Sequence, residues 1–375
     1  MIILTSFDAF RIKTKIVRLI LMLSILTSCS INKKPAKTQN NIEKIVNKEL
    51  TEFLKGSEFS ALSGAIYVHG KTYQFHFGKL IDGTKPNNQT LYEIGSLSKT
   101  YVGLLLSQAV FDGKLSLDSD IREYLPPKKY SHLKLKNSPM TLRHLATHTS
   151  GLPVNLSCND LNFDEKFNCY KLYSKDVFFD KLSKTKLIDE SGENYHYSNT
   201  GIALIGYILE DVYNDTYPNL LKKYVFSKSK ETNTFYRLNK SSIKKMAVGK
   251  NEKGEIMPLA SEFYNSAGAL KSNTNSMLNY IKMYMNSNDP VVTQSLKLLT
   301  EENNRLGRAF VWNTYDYSGS NQMFYHSGGT FGFSSWIALY PKNQIGIFLV
   351  TNVATSDAQE KLNQISNKVI NEIME

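Results

Sequence analysis

The stretches of this chain that read as β-strands lie at its two ends, and that placement limits the folds open to it. Near the start, "SGAIYVHGKTYQFHFGKLI" (63–81) alternates in blocks around His69-Gly70, which predicts a β-hairpin. Near the end, "GRAFVWNTYDYS" (307–318), "NQMFYHSGG" (321–329), "FSSWIALYP" (333–341) and "QIGIFLVTN" (344–352) are strand-like and separated by turn residues. Residues from about 100 to 255 carry mostly helical patterns. Helical spacing also marks the flanks, with Ile42, Ile45, Val46, Leu50 and Leu54 before the first strands and "AQEKLNQISNKVINEI" after the last. These patterns predict an α+β fold: one antiparallel sheet built from both chain ends (about 41–95 and 256–375), with a helical lobe (about 100–255) inserted between them.

A chain of 375 residues, 41% hydrophobic and 21% charged, buries a real core as two lobes or one large domain. Its net charge of +11 draws it toward anionic surfaces such as acidic lipid headgroups or wall polymers. The lysines are scattered and no zinc-finger or RRM signature occurs, so nucleic acid is not an expected partner.

The first residues carry an address. Arg11, Lys13, Lys15 and Arg18 precede the short apolar run "LILMLSIL", which ends in "LTSC" at Cys29. A basic region, a short apolar stretch and small residues make a secretory signal over residues 1–28, too short for a comfortable membrane span. "LTSC" resembles a bacterial lipobox, which would make Cys29 the lipidated first residue of a protein anchored in the periplasm or cell envelope; an ordinary signal peptide with an incidental Cys29 is the alternative. Polar, lysine-rich residues 29–40 read as a flexible tether. Cys158 and Cys169 then remain as the one pair in an oxidising compartment, and spacing leaves open whether they form a disulfide or stay free thiols.

Chemistry enters at "EIGSLSKT" (93–100), ahead of the apolar run "YVGLLLSQAV". On a helix, residues three apart share a face, so Ser96 meets Lys99 and Ser98 points away. A serine hydroxyl needs a base, and a lysine serves when desolvation or the positive end of a helix lowers its pKa. Ser96 is therefore the candidate nucleophile and Lys99 its base. In "YHYSNTG", Tyr197 is placed to relay a proton and Asn199 to orient a lysine or a substrate carbonyl. In "FYHSGGT", His326, Ser327, Gly328 and Gly329 end a strand along which a substrate backbone can lie, and the Gly329 N–H can complete an oxyanion hole with that of Ser96. His144 and His148 have the four-residue spacing of a zinc helix, but Leu145 stands where a metallopeptidase needs glutamate, so structural roles are expected and no metal or cofactor is implied.

"GSLSKT", "YSN" and "HSGG", in this order and at these separations, resemble the three motifs of the serine penicillin-recognising family, which includes class C β-lactamases, low-molecular-weight D,D-peptidases, D-aminopeptidases and esterases. "TLRHLATHTSGLP" (141–153) and "NSAGALKSNTNSMLNYIKMY" (265–284) resemble connecting segments of that family, and the likeness runs from about residue 45 to the end. The resemblance implies a β-lactamase/transpeptidase-like fold and acylation of Ser96, with Lys99 and Tyr197 sharing proton transfer, Asn199 holding a substrate amide and His326 lining the docking strand. It implies a small-molecule or peptidoglycan-peptide substrate. Where efficient lactamases of this family carry K-T-G, this chain has His326, so capture of a substrate carboxylate is expected to be weaker or pH-dependent.

Overall fold

In the computed structural model of the chain, residues 39–55, 57–135, 138–156, 163–171, 174–260, 265–317 and 321–375 are described. The expected leader, Cys29 and the tether up to residue 38 lie outside them, and so does Cys158. Cys169 is held in a disulfide.

Helix α1 (Gln39–Lys55) begins two residues inside the stretch read as tether, because Ile42, Ile45, Val46 and Leu50 give it a buried side from its first turn. Strands β1 (Ala61–Val68) and β2 (Lys71–Gly78) form the expected hairpin. Its two-residue turn takes φ of +47° at His69 and +85° at Gly70, the left-handed values that match the twist of the strands.

The remaining strands of the sheet come from the far end: β3 (Thr300–Glu301), β4 (Leu306–Arg308), β5 (Asn313–Asp316), β6 (Gln322–Gly329), β7 (Ser334–Tyr340) and β8 (Ile345–Thr351). Among the described residues they make one eight-stranded antiparallel sheet in the order β2-β1-β8-β7-β6-β5-β4-β3. The join between the two ends is the pairing of β1 with β8, from Leu62 opposite Thr351 to Val68 opposite Ile345. One expectation needs correction, since "GRAFVWNTYDYS" is not a single strand. Val311 at φ +69° and the bond from Ala309 N–H to the Trp312 carbonyl (2.9 Å) turn the chain between β4 and β5, while Phe310, Val311 and Trp312 are buried in the core.

The central strands bury both faces, which is why they read as long apolar runs rather than as a simple alternation. Leu62, Ile66 and Val68 of β1, with Ile345, Ile347 and Leu349 of β8, face a cluster shared with α1 and the last helix, α5 (Ala358–Met374). On the other face, Ala65 and Tyr67 of β1 and Phe348 and Val350 of β8 join a larger core with α2 (Ser98–Phe111), α3 (Asn199–Tyr213) and α4 (Thr274–Asn286). Every residue of α2 from Ser98 to Ala109 is buried, so the helix is enclosed on all sides. The turn that leads into it packs against the end of β6, where His326–Gly329 pair with β7 beyond the stretch paired with β5.

Candidate active site

Ser96 sits in a single 3-10 turn, Gly95–Leu97, that leads directly into α2. Gly95 has φ +51°, and a Cβ there would stand 2.7 Å from both N and O of Gly329, so the end of β6 lies flat against the serine turn. Gly328 is tighter still: a Cβ would come within 2.2 Å of the Ile94 carbonyl and 2.4 Å of Ser335 Oγ. These contacts put the Gly329 peptide beside Ser96. Gly328→Ala must force β6 away from the serine turn, and the expected result is a loss of about 100-fold in turnover with the fold retained, checked by initial rates alongside circular dichroism.

Lys99 follows one turn later. Its Nζ donates to Ser96 Oγ at 2.8 Å and to the Ala267 carbonyl at 2.6 Å. The side chain has no exposed surface, and burial pushes its pKa well below the usual 10.5. Tyr197 reaches the same oxygen from the other side, its hydroxyl donating to Ser96 Oγ at 2.7 Å. Burial raises the pKa of this phenol, so its proton stays on oxygen. Lys99 Nζ also lies 5.0 Å from the centroid of the Tyr197 ring. Three of the residues expected from sequence therefore converge on one atom.

The entry of α3 positions Tyr197. Ser198 is its N-cap, with Oγ accepting from Gly201 N–H (3.0 Å) and donating to the Pro153 carbonyl (2.8 Å), while the Asn199 and Thr200 N–H groups share the Val154 carbonyl. Asn199 pairs its amide with Asn155 Oδ1 at 3.0 Å. Asn155, reached through the 153–155 loop, is a site residue that sequence reasoning missed, and no pattern marks it.

His326, in β6, is 3% exposed. Its Nδ1–H donates to the Ser327 carbonyl at 2.6 Å, which leaves Nε2 as an acceptor. Burial, with Lys99 and Arg308 nearby, lowers its pKa to about 3, so the ring is neutral across the physiological range. This enclosure removes the partial charge that an exposed histidine carries near neutral pH. A cation does stand in the neighbourhood. Arg308 of β4 lies 4.4 Å from the ring centroid of Tyr195 and is paired with Glu302 at 2.8 Å.

Ser98, the other serine of the motif, is fully buried and accepts the Leu270 N–H at 3.1 Å. The zinc-like histidine pair does not share a helix face. His144 closes a capping box with Thr141 at the start of the short helix Leu142–Ala146, and His148 lies past its end at φ +59°. Among the described residues no group of three or more His, Cys, Asp or Glu is arranged to hold a metal.

A sequence profile of the Beta-lactamase family matches residues 46–369. Protein flp of Staphylococcus aureus (strain MRSA252) is 24% identical over 347 residues, 89% of this chain and 67% of that protein. A beta-lactamase of Providencia stuartii is 29% identical over 255 residues, 67% of this chain and 61% of that protein. A crystal structure of a beta-lactamase/D-alanine carboxypeptidase from Yersinia pestis superposes with a TM-score of 0.80 at 17% identity, covering 90% of this chain and 100% of the other. The fold expected from the two-ended strand pattern is thus the fold observed, and the chain belongs to the Beta-lactamase family, whose members are serine hydrolases.

Proposed function

We propose that the protein is a serine acyl hydrolase that acts on D-Ala-type peptide amides or β-lactams through an acyl-enzyme on Ser96. The observation that carries this reading is the double approach to Ser96 Oγ by Lys99 Nζ (2.8 Å) and Tyr197 OH (2.7 Å). Burial lowers the Lys99 pKa and so favours the free amine that acts as a base, and a phenol kept protonated is a donor, so the two can take the Ser96 proton and pass it to the leaving group. The carbonyl oxygen of the substrate would sit between the N–H groups of Ser96 and Gly329, where charge develops as the tetrahedral centre forms. Asn199 and Asn155 would face the acyl side chain, and the β6 edge at Ser327 would pair with the substrate backbone. Water then releases the acyl group.

The test is labelling of the purified domain with a fluorescent penicillin over time, with Ser96→Ala beside it. A persistent Ser96-dependent label means a slowly deacylating D,D-peptidase type, and one that appears and decays as drug is consumed means a β-lactamase. Absence of label combined with Ser96-dependent ester hydrolysis moves the reading to an esterase or D-aminopeptidase. Absence of both leaves a non-catalytic sensor or scaffold.

The neutral state of His326 favours the esterase or D-aminopeptidase reading, because that position supplies no fixed charge for a substrate carboxylate. For an uncharged ester, the rate against pH is expected to show one acid limb, set by Lys99 losing its proton, with no inflection from His326 between pH 5 and 8. Comparison with His326→Asn checks this, and a limb that disappears in the variant would contradict it. Lipid anchoring through Cys29 at the bacterial envelope belongs to the same proposal, and Cys29→Ser is expected to release the protein from the membrane fraction.

A further inference from the structure

Two backbone hydrogen bonds that flank Tyr197 end on a single residue. The His196 N–H donates to the His148 carbonyl at 2.7 Å, and the Ser198 N–H donates to His148 Nδ1 at 3.1 Å. Tyr197 lies between them in sequence, so its main chain is gripped on both sides by His148. The ring of His148 also packs on the Tyr197 ring, with centroids 4.7 Å apart at 38°, and meets Tyr195 edge-on at 5.9 Å and 87°.

The protonation state of His148 follows from the same contacts. Since Nδ1 accepts a bond, the ring proton is on Nε2 and the imidazole is neutral. Burial holds its pKa well below the usual 6.5, and the Arg308 guanidinium acts in the same direction. A neutral ring adds no positive charge next to Lys99. His148 is 2% exposed and takes φ +59°, a region that residues with a Cβ rarely adopt. The left-handed turn is what allows one residue to present its carbonyl, its Nδ1 and its ring face toward the same neighbour.

We propose that His148 is a positioning residue for Tyr197: its carbonyl, its Nδ1 acceptor and its ring face together hold the phenol within hydrogen-bond reach of Ser96 Oγ. This rests on the reading of Tyr197 as the proton relay to Ser96. The role demands an acceptor at the Nδ1 position and a flat neutral face, and a residue that merely fills the space supplies neither.

Two variants test it. His148→Gly removes the acceptor and the ring while suiting the left-handed backbone, so folding is preserved. His148→Asn keeps an acceptor at the equivalent position and tolerates the same φ. Single-turnover acylation by p-nitrophenyl acetate is expected to slow by about 100-fold in H148G, with the half-saturating concentration changed by less than about threefold, since a misplaced relay costs rate rather than binding. H148N should recover at least about tenfold of that loss. H148G acylating within twofold of wild type, or H148N no faster than H148G, would overturn the proposal. Crystal structures of both variants give a readout that does not depend on turnover. A Tyr197 hydroxyl still within 3 Å of Ser96 Oγ in H148G also sinks the proposal, whereas a wild type that never acylates on Ser96 sinks the functional reading and leaves this geometric test in force.

Discussion

Ser96→Ala is expected to lower turnover to background, a loss on the order of 10⁵-fold or more, while Ser98→Ala keeps turnover within about threefold of wild type and loses stability instead. The two serines stand two positions apart and differ in everything the structure assigns them. Ser96 is partly accessible, and its Oγ receives hydrogen bonds from both Lys99 and Tyr197. Ser98 has no exposed surface, and its Oγ is occupied by the Leu270 N–H. Removing the Ser98 hydroxyl strands that buried N–H, at a cost of about 1–3 kcal/mol. Initial rates and thermal melts on the two purified variants separate the roles. Turnover lost in Ser98→Ala and kept in Ser96→Ala would reverse the assignment.

Lys99→Met should do two opposite things. Turnover falls by about 10²- to 10⁴-fold, the range set by removing a positioned base, yet the protein becomes more stable at neutral pH. The second effect follows from burial. A lysine with no exposed surface has its charged form disfavoured in the fold, so its folded pKa lies well below the unfolded value near 10.5. Between those two values the unfolded chain binds the proton and the folded chain does not, so stability rises with pH across that window and is lowest beneath it. Methionine fills similar space without a charge to desolvate. Denaturant melts from pH 6 to 10 should show the wild-type stability climbing with pH, and the Lys99→Met curve lying above it at pH 7 with less slope. A variant less stable than wild type at pH 7 would mean that the bond to the Ala267 carbonyl outweighs the burial penalty.

The conflict in Lys99 also shows what sequence can and cannot carry. Strand and helix periods depend on neighbours along the chain, so the hairpin at His69-Gly70, the flanking helices α1 and α5 and the two-ended sheet were legible from pattern. The three-residue spacing of Ser96 and Lys99 was legible for the same reason. Tyr197 and Gly329 were legible as residue types suited to the chemistry, but only the set of whole motifs tied them to Ser96, because nothing local links a residue to a partner about a hundred or more positions away. The Ala267 carbonyl that holds Lys99 is a backbone atom with no side-chain signature. The positive φ of His148 and the two bonds it accepts from the Tyr197 segment depend on loops meeting in space, so the sequence reading, which expected a structural role for it, could not name its partner. The neutral charge of His326 is set by enclosure, which a residue name does not reveal. The break between β4 and β5 was hidden because Phe310, Val311 and Trp312 are as apolar as a strand, although they pack a turn.

The pairing of β1 with β8 has a consequence for the order of events during synthesis. The neighbour of the first strand is the last long strand to leave the ribosome, since Leu62 waits for Thr351 and Val68 for Ile345. Until then β1 has only β2 beside it, and the faces of Leu62, Ile66 and Val68 lack their cover. A nascent chain stalled before residue 345 therefore lacks the strand that joins its two ends. Such long-range closure makes folding slow and late. The two ends of the sheet thus stay unjoined for almost the whole of translation.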